Sequence, residues 1–211
     1  MDTTNEITLA AVMAQFPHWH GWCSPTKAEH IHSEITKRKL GQGLEIGVYA
    51  GKSACAAGVA MRDRGEGIII GLDPWSNEEA TRYQESGDNK DWWGKVPLED
   101  IKKQAESKRL EFGLLKHLVY HQKSSLEFFR ECPSDFNLDY LHIDGCHSTW
   151  NSCTDVVLWL PALRKGGILF MDDEEWASTE QARDLINSQC KKLYTIEVEG
   201  CQCGVYLKGG A

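Results

Sequence analysis

The chain has 211 residues, 41% of them hydrophobic and 26% charged, the composition of a folded globular domain and not of a disordered segment. A formal net charge of -8 argues against a nucleic-acid phosphate backbone as the main partner, while leaving room for a small basic site. No apolar run approaches the roughly 18 residues of a membrane span, and residues 1–6 lack the basic and apolar regions of a secretion signal, so a soluble, cytoplasmic single domain is expected.

In chain order, an amphipathic stretch at Ile7–Phe16 precedes an aromatic and histidine cluster, His18 to Cys23. Ser24-Pro25 reads as an N-cap with proline at the first helical position, which predicts a helix from Pro25 to about Lys39. Leu44–Ser53 then carries an acid at Glu45 within an apolar run, turns at Gly47 and Gly51, and enters a helix-like segment from Ser53 to Met61. Glycines there let a ligand approach the backbone, and the helix start offers free N–H groups to an anion. The spacing of Gly47 and Gly51 fits neither the dinucleotide fingerprint nor the P-loop. A second strand, Ile68 to Asp73, ends in an acid placed to accept hydrogen bonds from ribose hydroxyls, or else to cap the next turn.

Residues 74–113 are the least regular, with Trp75, Trp92 and Trp93 and then a charged helix from Leu98 to Leu110. They read as an insertion over the ligand face, its tryptophans stacking on a substrate ring or pinning the loop. A third strand (Lys116–His121), a short helix (Leu126–Arg130) and a fourth strand ending in Asp144 follow. A helix over Trp150–Leu163, a turn at Lys165-Gly-Gly, a fifth strand (Ile168–Met171) ending in Asp172-Asp173, a helix over Thr179–Cys190 and a hairpin-like pair complete the chain. The alternation gives an α/β sheet, parallel except near its end, with ligands bound outside the carboxyl ends of the strands. The eight cysteines form no C-x-x-C pair and are expected to be reduced, with Cys201-Gln-Cys203 as a possible soft-metal pair.

The strand ends hold the carboxylates. Asp144, Asp172 and Asp173 are expected to converge beside the glycine turn, a set of hard oxygen donors that suits Mg²⁺, Ca²⁺ or Mn²⁺ better than zinc. The bland alternative is a group of solvated acids at helix N-termini.

Four stretches in register, Leu44–Ser53, Leu72–Trp75, His142–His147 and Leu163–Asp173, together resemble the class I S-adenosylmethionine (SAM) O-methyltransferases. The likeness is to the small bacterial group known as methyltransferase family 24, and the metal pattern is similar to catechol and macrocin O-methyltransferases. It covers roughly residues 40–175. The resemblance implies a Rossmann-like sheet of seven strands, mostly parallel with the last antiparallel, helices on both faces, a helical cap at residues 1–40 and an insertion at 74–113. It also implies that Gly47, Tyr49 and Gly51 surround the methionine part of SAM, with Glu45 near its amino group and Ser53 near its carboxylate. Asp73 would hold the ribose, and Gln122, Ser124 and Ser125 fall where adenine is contacted. Asp144, Asp172 and Asp173 match the three positions that hold the divalent metal, most simply Mg²⁺, and Asp144 would thereby take part in catalysis.

Macrocin-type enzymes carry an acid two residues after the first metal aspartate; here that position is Cys146. His147 stands where the catechol enzymes carry a basic lysine, which makes it the candidate general base, with hydrogen bonding of the loop as its alternative role. The implied activity is methyl transfer from SAM to a hydroxyl of a sugar, diol or catechol-like small molecule, without nucleic-acid or membrane partners and with a homodimer possible. Metal-free transfer, transfer to another atom and a non-catalytic SAM-binding module remain as alternatives.

Overall fold

A computed structural model describes residues 7–83 and 87–209. The readings of residues 1–6 and of positions 84–86 within the insertion lie outside the described residues. Seven strands form one sheet: β1 (Gln42–Ile46), β2 (Ile68–Leu72), β3 (Leu118–His121), β4 (Leu138–Ile143), β5 (Leu163–Met171), β6 (Cys190–Val198) and β7 (Cys201–Lys208). Their order is β3-β2-β1-β4-β5-β7-β6. The first five are parallel, and β7 runs antiparallel to both β5 and β6.

The apolar runs of the central parallel strands β1, β4 and β5 follow from burial on both faces. Along β5, Ile168 and Phe170 join one core, and Leu169 and Met171 join the other. Residues of α1 (Leu9–Met13), α2 (Pro25–Arg38) and α3 (Lys52–Asp63) pack into the first core, as do Leu98, Ile101 and Ala105 on the helix between β2 and β3. That connection holds α4 (Asn77–Thr81), α5 (Asp88–Trp93) and α6 (Leu98–Glu111). The opposite core takes residues from α7 (Ser125–Glu131), α8 (Thr149–Trp159) and α9 (Glu180–Asn187). No helix among the described residues is long and apolar enough to cross a membrane.

Three boundaries differ from the sequence expectation. Helix α8 stops at Trp159, because Pro161 cannot extend it and Leu163 already pairs with Leu138. Lys165-Gly-Gly is not a turn before β5 but a bulge within it. Leu163 faces Leu138 and Ile168 faces Tyr140, so residues 164–167 swell out opposite Asp139, with Gly166 at φ 79°. Cys190, expected at a helix end, opens β6 against Lys208.

The strand order reverses between β1 and β4, with β2 on one side and β5 on the other. A crevice forms at such a switch point, and the carboxyl ends of β1, β2, β4 and β5 all open there.

Candidate active site

The chain leaves β1 through Gly47 at φ 89° and enters α3 through Gly51 at φ 87°. The loop between them is held from outside. The Gly47 N–H donates to Leu72 O at 2.9 Å, and the indoles of Trp19 and Trp75 donate to Ala50 O at 2.7 Å and Tyr49 O at 2.8 Å. Trp75 is therefore a buried pin for this loop. Asp73, just past β2, accepts the Tyr49 amide at 2.8 Å and the Trp75 amide at 2.7 Å. Those bonds fix its carboxylate and leave lone pairs free. Tyr49, Trp75 and Asp173 all have positive φ, so three non-glycine residues at strand ends are held in a sparsely populated backbone conformation. Gly51 gives α3 no side-chain cap, which leaves N–H groups of its first turn for an anion.

Above this loop lies a cavity of about 950 Å³. Gly47, Tyr49, Gly51, Ser53 and Asp73 line it on one side, and Ser124, Ser125, Asp144, His147, Asp172 and Asp173 line it elsewhere. Two predicted residues do not. Glu45 is fully buried beside the loop, accepts the Ser53 hydroxyl at 2.7 Å and faces His142. Gln122 is exposed, accepts Lys102 Nζ at 2.6 Å and donates to Pro74 O at 3.2 Å. Ser124 caps α7 in a capping box with Glu127, and Ser125 donates to the buried Asp155. Asp155 also lines the cavity, and burial pushes its carboxyl up to about 7.

The strand-end acids are not left to solvent. Lys27, from the first turn of α2, donates to Asp144 Oδ2 at 3.1 Å and also to Asp172 Oδ2. Burial alone would lower the ammonium, but the two carboxylates outweigh it and hold it well above its ordinary value. Burial and the neighbouring Asp172 push Asp144 well up; burial also raises Asp172, but Lys27, His142 and Asp144 together outweigh it and hold Asp172 well below the carboxylate range. Behind them His142 is fully buried, with Nε2 3.8 Å from each of these aspartates and Nδ1 3.3 Å from Glu45. Asp173 turns the other way and pairs with His147. Burial disfavours the imidazolium there, yet Asp173 raises His147 to about 9, so its neutral, proton-accepting form is the minor one at pH 7.

A family model described as "Methyltransferase domain" matches residues 44–174. The chain belongs to the methyltransferase domain family. No curated protein matches it. Among solved structures it is similar to the O-methyltransferase TomG from Streptomyces achromogenes, involved in tomaymycin synthesis and solved with SAM, at TM-score 0.65 and 14% identity over 100% of both chains. A Bacillus cereus O-methyltransferase solved with S-adenosylhomocysteine (SAH) aligns at TM-score 0.64 and 15% identity, over 95% of this chain and 89% of that one. A Klebsiella pneumoniae protein described as an O-methyltransferase gives TM-score 0.66 and 12% identity, over 96% and 90%. The seven-stranded, mostly parallel sheet with antiparallel last strands is the Rossmann-like fold of class I methyltransferases.

In this methyltransferase the cofactor side of the cavity has the features SAM needs: an open helix start, a turn without side chains at Gly47 and Gly51, and a fixed carboxylate at Asp73. The cation side does not fit a metal. Lys27 stands between two of the three expected ligands and His147 engages the third. A divalent ion about 4 Å from that ammonium would meet ~8 kcal/mol of repulsion at an effective dielectric of 20, before any gain from the carboxylates. Three mixed groups among the described residues bring ligand atoms within 4.8 Å of one another: His142, Asp172 and Cys203; Asp144, His147 and Asp173; and Asp173, Glu175 and Cys201. In each, binding a metal would first have to displace a proton, since His142 and His147 lie near 9 and burial raises the Cys203 and Cys201 thiols. Cys201 and Cys203 serve different groups and do not form a joint ligand pair.

Aromatic rings line part of the cavity of the methyltransferase. Trp22, which is 69% exposed, stacks on Tyr49 at 5.4 Å and meets Trp92 edge-on at 5.5 Å; Trp93 lies 5.8 Å from Tyr49. Trp22 comes from the N-terminal segment and Trp92 and Trp93 from α5, so these two segments together line this part of the cavity.

Proposed function

We propose that this methyltransferase moves the methyl group of SAM to a hydroxyl oxygen of a small, ring-bearing molecule. The observation that carries the reading is that one cavity holds the Gly47–Ser53 turn, the Asp73 carboxylate and the His147–Asp173 pair. SAM as the cofactor is supported by its presence with the structurally similar TomG, and the uncapped start of α3 and the fixed Asp73 carboxylate suit its methionine carboxylate and its ribose hydroxyls. The acceptor enters past Trp22, Trp92 and Trp93, whose faces suit a sugar or aromatic ring.

The step is an in-line displacement. A lone pair of the acceptor oxygen forms the O–CH₃ bond as the C–S bond breaks, and its electron pair stays on sulfur to give SAH. The hydroxyl proton passes to the neutral form of His147, which Asp173 holds in place and which is the minor one at pH 7, so turnover is expected to rise with pH toward 9. Holding oxygen and methyl carbon about 3 Å apart supplies much of the rate, and the base adds more. No step passes through a metal, because the carboxylates that would hold one are engaged by Lys27 and His147.

The test is SAM titration by calorimetry, then mass-spectrometric detection of SAH with a panel of catechols, vicinal diols and sugars. Saturable SAM binding and SAH formed only with hydroxylated acceptors are expected. Absence of SAM binding overturns the reading.

A second expectation concerns pH. Burial, partly offset by its two amide bonds, raises the Asp73 carboxyl to about 6. Ribose hydroxyls donate more strongly to the ionised form, so SAM affinity should fall as pH drops through 6. Between pH 7 and pH 5 the dissociation constant is expected to rise about tenfold. In Asp73→Asn this pH dependence should vanish and affinity should be low throughout; an unchanged slope would remove Asp73 from the ribose site.

A further inference from the structure

We propose that Lys27 is the resident cation of this site, its ammonium taking the place between Asp144 and Asp172 that a divalent ion would otherwise take. Two independent features of the chain point to it. The first is geometry. Lys27 is buried, lines the cavity and meets Oδ2 of both aspartates. Two of its three N–H donors go to Asp144 and Asp172.

The second is where the lysine comes from. Lys27 sits in the first turn of α2, where Ser24 caps its amide at 3.1 Å and no acidic residue is present. A cation there opposes the helix dipole, so α2 on its own gains nothing from it. The placement makes sense only against the carboxylates that strands β4 and β5 bring to the helix start. The segment before the methyltransferase core thus supplies the charge that the core's own strand ends lack. Residues 44–174, the span of the family match, contain the aspartates but not this lysine.

The consequence is methyl transfer that needs no divalent metal. An ammonium beside the acceptor oxygen favours its loss of a proton, the contribution a metal would make, while the Asp144–Asp172 pair is closed to ions. The inference builds on the transferase reading, but its direct readout, metal binding, requires neither SAM nor an acceptor.

The experiment is Mn²⁺ titration followed by electron paramagnetic resonance, on the wild-type chain, Lys27→Ala and Lys27→Ala/Asp172→Asn. Wild type is expected to bind no Mn²⁺ at this pair. Lys27→Ala is expected to gain a site at least about 100-fold tighter, which the double variant loses. With an acceptor in hand, wild-type turnover is expected to be the same in excess chelator as in Mg²⁺, and Lys27→Ala to become slower and metal-responsive. Mn²⁺ bound by wild type and released by Asp172→Asn would overturn the proposal, as would chelator-sensitive wild-type turnover. If Lys27→Ala does not fold, the wild-type and Asp172→Asn titrations still decide, and Lys27→Arg, which keeps the charge, is expected to stay closed to Mn²⁺. Failure of SAM to bind would sink the transferase reading and leave the metal result standing.

Discussion

Gly47→Ala is expected to abolish SAM binding and to destabilise the fold by on the order of 3 kcal/mol or more. A Cβ at position 47 would lie 1.9 Å from the carbonyl oxygen of Asp144 and 2.8 Å from the Gly145 amide, both backbone atoms that cannot swing aside. The backbone there also needs φ 89°, which an alanine adopts only under strain. Because β1 and β4 are paired side by side, relieving the clash means moving Asp144 away from the loop, and with it the ammonium of Lys27. Cofactor turn and carboxylate rim would be lost together. In a domain of this size the melting temperature should drop by about 6–12 °C. Thermal denaturation followed by circular dichroism, with SAM calorimetry on the folded fraction, measures both; a melting point within a degree of wild type would contradict the packing described.

The second large effect is expected at His147. Replacing it by alanine should lower kcat by about 10²–10⁴ while leaving SAM affinity close to wild type, if it takes the acceptor's proton. The imidazole lies beside the cavity, paired with Asp173 and packed 5.1 Å from the Trp176 ring, so the substitution removes an ion pair as well as a base. A purely structural role predicts a different split: reduced stability, a raised KM and kcat nearly intact. Steady-state kinetics beside a melting curve separates the two. His147→Gln, which keeps a polar side chain but cannot act as a base, should be as slow as alanine in the first case and close to wild type in the second.

Much of the architecture was legible because its signals are local. Ser24-Pro25 marked the start of α2, and the glycine turn marked the passage from β1 to α3. Short apolar runs gave the five parallel strands, clearest for the central β1, β4 and β5, which are buried on both faces. Boundaries shifted where pairing overrode local pattern. Leu163 looked like the end of a helix and the glycines after Lys165 like a turn, yet Leu138 and Asp139 of the neighbouring strand hold this stretch in the sheet as a bulge.

Within the site, the sequence by itself determined which elements bear the chemistry: a turn between two glycines, an acid after β2, and aspartates at the ends of β4 and β5. These follow from periodicity and from the rule that parallel sheets bind at their carboxyl ends. Only the tertiary structure decided what those groups face. It turned Glu45 inward to Ser53 and His142, put Gln122 outside the cavity, paired Asp173 with His147 and brought Lys27 to Asp144, 117 positions away in sequence. A basic residue in the first turn of a helix was the one local sign of that last contact, because the dipole disfavours it there. Its reason lay in another part of the chain: buried carboxylates must find a cation, and which cation reaches them is fixed by how the N-terminal helix packs against the sheet.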